Sequence, residues 1–273
     1  MHGAAHSDSE CSVTTSRHPQ SACEYPGLAY ILLLIIPVKR FAAVLVPLLL
    51  LFGAVAPAAR ADVTPEYVLL VGGPSLYQWE QYKGALAHDH WWANFIRAAR
   101  IRTEQLREKY GPDAKITWLV YKQGYVDRAA QEKQDLLGFI DSVRDKFNLN
   151  LVYFRNGDDV INYLNNGQPR NQVKVAFLEY YGHSNKACFL FDYSNNVDSA
   201  SKSWLHESEL TKISRTAFAR DAEVRSWGCH TGESMSKKWR AAVGNRMWGA
   251  VGKTQFMTHE LPVLSSAGGK WAY

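Results

Sequence analysis

Two stretches constrain this chain more than any other. Residues 173–185 read VKVAFLEYYGHSN and residues 223–234 read EVRSWGCHTGES. Each is an apolar run that ends in a glycine followed by a reactive side chain, Gly182-His183 in the first and Gly228-Cys229 in the second. An apolar run closed by glycine reads as a buried strand entering a turn, and an open α/β sheet presents its chemistry where such strands end. A thiol is a weak nucleophile until its proton is removed, and histidine is the usual partner for that task.

The rest of the chain supplies strands and helices in alternation. Apolar runs at 66–73, 115–121, 149–154, 187–192, 222–227 and 247–251 read as strands, together with 173–181. Three- and four-residue apolar spacing predicts a helix capped by Asp89 that runs to Tyr110, and another over 131–147. Shorter helices are expected at 158–164, 207–213 and 233–243, a polar loop at 195–203, and a surface course for 252–273. This alternation predicts an α/β fold, a three-layer sandwich with a mostly parallel central sheet, right-handed crossovers and ligands at the carboxyl edge of the strands.

The 273 residues are not all expected to belong to that domain. Residues 38–61 carry a basic pair (Lys39, Arg40), an apolar run and the ending Ala59-Arg60-Ala61. This is the three-part form of a secretory signal peptide cleaved near Ala61, with a retained membrane anchor as the alternative. Residues 1–37 are expected to be a non-native upstream extension or a disordered leader, with translation starting at Val38. The reading therefore places a single domain at 62–273 and the protein in the periplasm or outside the cell. With 31 Lys and Arg against 26 Asp and Glu, evenly spread, the charge is too mild to argue for nucleic acid or an anionic membrane.

At His183 and Cys229 the residues resemble the caspase-hemoglobinase family of cysteine peptidases, which includes caspases, legumains and gingipains. The His precedes the Cys by roughly 50 residues, as it does in caspases. The resemblance implies a caspase-like sheet, Cys229 as nucleophile, His183 as proton-transfer partner, and an oxyanion hole from the backbone N–H groups of Ser184 and Cys229. It implies a polypeptide substrate and no cofactor or metal. Two departures stand out: Ser184 follows the His where the family carries glycine, and Trp227-Gly228 precedes the Cys in place of Gln-Ala.

Other readings of the same residues stay open at this point. A catalytically inactive binding or structural protein could use the same fold. Gly182-His183-Ser184 also resembles the Gly-His-Ser elbow of esterases, with Ser184 as nucleophile and His206, His230 or His259 as base. Cys188 and Cys229 could form a disulfide in an exported protein. His88-Asp89-His90 could hold a metal, although Asp89 is explained as a helix cap. Residues 249–254 (GAVGKT) lack the first glycine of a phosphate loop, since Met247 stands there. Segments 249–262 and 195–204 are expected to form the walls of a specificity pocket.

Overall fold

In the computed structural model, residues 63–77, 90–193 and 202–273 are described. The signal-peptide and leader segments, and His88 and Asp89, lie outside them. Seven strands form the central sheet in the order β12-β9-β8-β4-β1-β2-β3. These are β1 (Thr64–Val71), β2 (Lys115–Tyr121), β3 (Asn150–Phe154), β4 (Val173–Tyr181), β8 (Phe218–Ser226), β9 (Met247–Val251) and β12 (Lys270–Ala272). Every neighbouring pair is parallel except β9 with β12.

The burial pattern explains why β1, β2 and β4 read as continuous apolar runs. Both faces of these strands are covered, so both sets of alternating side chains are buried. On one face pack helix α1 (Asn94–Tyr110), α2 (Lys122–Glu132) and α3 (Leu136–Phe147), burying Phe95, Ile96, Leu106, Tyr125 and Ile140 against Leu69, Trp118 and Phe177. On the other pack α4 (Gly157–Asn166) and α5 (Met235–Val243), with Val160, Leu164, Trp239 and Val243 against Val68, Leu119 and Val224. The chain is thus α/β, with helices on both faces of a mostly parallel sheet.

Two expectations are corrected. The helix expected over 131–147 begins only at Leu136, and the first two residues of that stretch are the end of α2, a helix from Lys122 that the apolar spacing does not predict. Lys133 takes a left-handed conformation (φ 55°) that ends α2, and Asp135 starts α3 by accepting a hydrogen bond from Gly138 N–H. An N-cap residue inside an apolar-periodic stretch is a restart, and the periodicity masked it. Segment 252–273 is not a surface excursion. It forms the short pair β10 (Thr254–Gln255) and β11 (Val263–Leu264) and then the edge strand β12, whose Trp271 packs edge-on against Trp227 at 5.2 Å.

The order of the parallel strands positions the site. From β1 the chain builds outward through β2 and β3, then returns to β4 on the other flank and continues to β8 and β9. The order reverses between β1 and β4, which opens a crevice beyond their carboxyl ends. A small antiparallel sheet roofs this edge: β5 (His183–Ser184), β6 (Cys188–Leu190) and β7 (Trp204–His206). The strand expected at 187–192 is β6 of this roof. A 3-10 helix, Glu207–Lys212, stands where a short helix is expected at 207–213.

Candidate active site

Strand β4 ends at Tyr181, and β8, its parallel neighbour, ends at Ser226. The two motif stretches therefore leave adjacent strands on the same edge of the sheet. Trp227 N–H still donates to Tyr180 O at 2.9 Å, so the strands stay paired up to the turn that carries Cys229. One further bond ties the two motifs together: Ser184 Oγ donates to the Cys229 carbonyl at 2.6 Å.

The glycines of the two motifs are there for close approach. A Cβ on Gly228 would sit 2.2 Å from Ser184 Oγ, and one on Gly182 would sit 2.3 Å from the Tyr180 hydroxyl oxygen. Tyr180 is fully buried between them, and its hydroxyl donates to the His183 carbonyl at 2.6 Å. Burial holds the Tyr180 phenol well above its ordinary pKa, so this donor keeps its proton at any physiological pH.

His183 is fixed on three sides. Its Nε2 lies 3.1 Å from Ser75 Oγ, its ring stacks on Tyr193 at 4.0 Å, and Phe95 meets it edge-on at 5.0 Å. Ser75 follows the end of β1 and is itself buried. Its carbonyl accepts a hydrogen bond from Arg128 Nη1 at 2.8 Å, and the buried Arg128 also pairs with Glu132 at 2.7 Å.

Cys229 is held from the other side by β10. Thr254 N–H donates to the sulfur at 3.4 Å, and Thr254 Oγ1 lies 3.6 Å from it while donating to Trp227 O at 2.6 Å. The segment 249–262, expected to wall the site, thus delivers Thr254. No hydrogen bond joins the sulfur to an imidazole among the described residues.

The backbone around Cys229 is unusual. His230 has φ 65°, the left-handed region that side chains other than glycine seldom enter. His230 N–H donates to Gly252 O at 2.7 Å, and Glu233 Oε1 accepts from His230 Nδ1 at 2.6 Å and from Gly252 N–H at 3.1 Å. These bonds lower the pKa of Glu233, chiefly through the His230 imidazole. The strand has already ended at Ser226, and the His230 side chain pairs with Glu233. Helix α5 starts at Met235, two residues later than expected, so a turn separates Cys229 from its N-terminus.

Two backbone donors remain. Cys229 N–H has no acceptor among the described residues. Asn185 N–H donates to Cys188 O at 3.1 Å, which makes Ser184–Phe189 the non-hydrogen-bonded pair of the β5–β6 ladder. Ser184 N–H therefore points out of the ribbon.

The other candidates sort out as follows. Cys188 and Cys229 are both free thiols, so the disulfide is not formed. Burial and the Glu207 and Glu209 carboxylates push the Cys188 thiol up. Among the described residues no group of three or more His, Cys, Asp or Glu is placed to hold a metal ion, and no helix is long and apolar enough to cross a membrane. Ser184 lies in a β-ribbon and not at the strand-to-helix elbow of an esterase, and its proton goes to a backbone carbonyl, which cannot act as a base. His206 and His230 are engaged at Nδ1 with Ser208 and Glu233. A cleft of about 510 Å³ opens beside the turn, lined by Lys186, Cys188, His206, His230 and Glu233.

No protein-family model, curated protein or solved structure matches this chain.

Ser75, Phe95, Tyr193 and Thr254 were not singled out from sequence. The glycine pair Gly72-Gly73 at the end of β1 was the available signal for Ser75, since it marks a third apolar run ending at the same edge.

Proposed function

We propose that this protein is an exported cysteine endopeptidase with a caspase-like fold, in which Cys229 is the nucleophile and His183 the proton-transfer group. The observation that carries the reading is the joining of the two strand ends: His183 and Cys229 leave adjacent parallel strands, and Ser184 Oγ bonds to the Cys229 carbonyl at 2.6 Å. A peptide carbonyl seated between ring and sulfur would meet its attacking atom on one side and the His183 imidazole on the other. The absence of a direct His–Cys hydrogen bond suits that arrangement, because catalytic contacts often close only around the substrate.

The chemistry then follows in two steps. The Cys229 thiolate attacks the scissile carbonyl, and the oxyanion is taken by the N–H groups of Ser184 and Cys229. His183 returns a proton to the leaving amine, giving an acyl-enzyme that water hydrolyses with His183 as base. Ser75 holds the imidazole in the required tautomer, the role a third group plays in any such dyad. Thr254 N–H steadies the negative sulfur. The cleft beside His230 offers room for the peptide chain on that side of the scissile bond.

A second reading, a catalytically inactive binding protein on the same fold, is favoured by one observation. Ser184, which stands where the resembling family carries glycine, bonds to the very residue that would have to react.

Hydrolysis of a mixed peptide library by the purified protein and by Cys229→Ala separates the two. Cleavage lost in the variant supports the peptidase; equal product from both, or none from either, leaves the binding reading. Iodoacetamide labelling adds a check on the thiol itself. Near neutral pH, Cys229 should be alkylated before Cys188, and His183→Ala should slow only Cys229.

A further inference from the structure

The helix layer on the α1 side of the sheet stops short. Helix α1 covers β1 and β4, but over β8, β9 and β12 no described helix packs on that face. The side chains there form lateral rows. Glu179 on β4 is paired with Arg225 on β8, and Arg225 with Trp248 on β9. Between α1 and these strands lies a cavity of about 340 Å³, lined by Arg102, Phe177, Glu179, Arg225, Arg246 and Trp248 among others. That volume falls at the small end of the range for small-molecule sites.

The three guanidinium groups differ in what they already hold. Arg102 is spent: its Nε and Nη2 grip Glu179 at 2.8 and 2.9 Å. The remaining demand of that buried carboxylate is met by the Tyr181 hydroxyl. Arg225 is different. It stacks over Trp227 at 4.9 Å and Trp271 at 5.5 Å, with no hydrogen bond or ion pair among the described residues. Arg246 stacks over Tyr273 at 4.6 Å and makes only a long 3.5 Å contact with its hydroxyl. Glu223, also in the lining, forms no ion pair with either guanidinium among the described residues. The pocket therefore holds two guanidinium groups oriented by aromatic rings and not neutralised, beside the exposed indole of Trp248.

We propose that this pocket binds a small organic acid with a flat apolar body. Its carboxylate is taken by Arg225 and Arg246 through planar paired hydrogen bonds, and its body lies against Trp248 and Phe177. A guanidinium resting on two packed indoles has lost much of its rotamer freedom, so its donor fork is pre-organised for a carboxylate. The site is separate from Cys229 and does not depend on the peptidase reading.

Titration calorimetry of the purified protein with indole-3-acetate, benzoate, acetate and inorganic phosphate tests this. One saturable site is expected for the two aromatic acids at a Kd of about 1 mM or tighter. Arg225→Gln and the exposed-site variant Arg246→Gln should each weaken binding about tenfold or more. Trp248→Ala should weaken the aromatic acids and leave acetate unchanged, and Cys229→Ala should bind as the parent does. Loss of binding in Cys229→Ala would place the ligand at the other site and overturn the proposal. So would phosphate or acetate binding as tightly as indole-3-acetate, failure of every probe to saturate, or binding indifferent to Arg246→Gln. Because Arg246 is exposed, its variant keeps the test sound even if Arg225→Gln perturbs folding.

Discussion

At the amino edge of the parallel strands, Glu66 is fully buried, and its carboxylate oxygens are matched by donors. Thr117 Oγ1 and the Tyr163 hydroxyl reach Oε1 at 2.7 and 2.6 Å, and Arg170 Nη1 reaches Oε2 at 2.6 Å. At the carboxyl edge β1, β4 and β8 lead into Ser75, His183 and Cys229, and the accounting is left open. Cys229 N–H has no acceptor among the described residues, Ser184 N–H points out of its ribbon, and His230 sits at φ 65°. One edge closes a buried carboxylate on its donors, with Arg170 Nε the one group of that cluster lacking an acceptor among the described residues; the other keeps donors and a sulfur in reserve. Polar groups left unmatched at a packed edge cost stability and are retained where a ligand completes them.

The largest effect should come at the open edge and touch activity alone. Cys229→Ala is expected to reduce peptide hydrolysis by at least about 10⁴-fold, as loss of a nucleophile does elsewhere. Its melting temperature should match the parent, since only a thiol in contact with Thr254 is removed. A variant that unfolds early would erase the contrast between the edges.

The closed edge should show the reverse. Glu66→Ala leaves Arg170 charged and nearly buried with its partner gone, and breaking such a pair costs about 3–5 kcal/mol. Denaturant midpoints should fall accordingly, while activity per folded molecule stays at the parental level. Loss of activity out of proportion to loss of fold would mean that the two edges are coupled through β1.

Ser75→Ala sharpens the comparison from the side of the imidazole. Removing one hydrogen bond that orients His183 is worth about 1 kcal/mol, so kcat should fall about five- to tenfold with KM little changed. The pH profile should shift with it, because the ring loses a hydrogen bond at Nε2 that biases its proton affinity. A purely structural Ser75 would lower stability and leave the profile in place.

Much of the fold was readable because buried parallel strands announce themselves. The bounds expected for 173–181 and 247–251 are those of β4 and β9, and the glycines before His183 and Cys229, read as turns, do stand where β4 and β8 end. What was not readable depends on partners far apart in the chain. The strand order cannot be seen in any one strand, and it is the reversal between β1 and β4 that brings Ser75 to His183, 108 residues on. Thr254 has no sequence signature as a sulfur donor, because it acts through its backbone N–H. β12 is three residues long, and its antiparallel pairing with β9 reveals it.

The smallest effect tests whether the open edge contributes any stability of its own. Glu233 has its pKa lowered by the His230 imidazole and by Gly252 N–H, so it binds protons less readily folded than unfolded. Its contribution is therefore present above the unfolded carboxylate value of about 4.3 and is lost as pH falls through the lower folded value. With both side chains roughly a third exposed, solvent screening limits it to about 0.5 kcal/mol or less. Glu233→Gln should lower the melting temperature slightly at neutral pH, and the gap to the parent should close in acid. A gap that widens on acidification would mean that Glu233 is better accommodated protonated, and that the turn carrying Cys229 is held by something other than the His230–Glu233–Gly252 clamp.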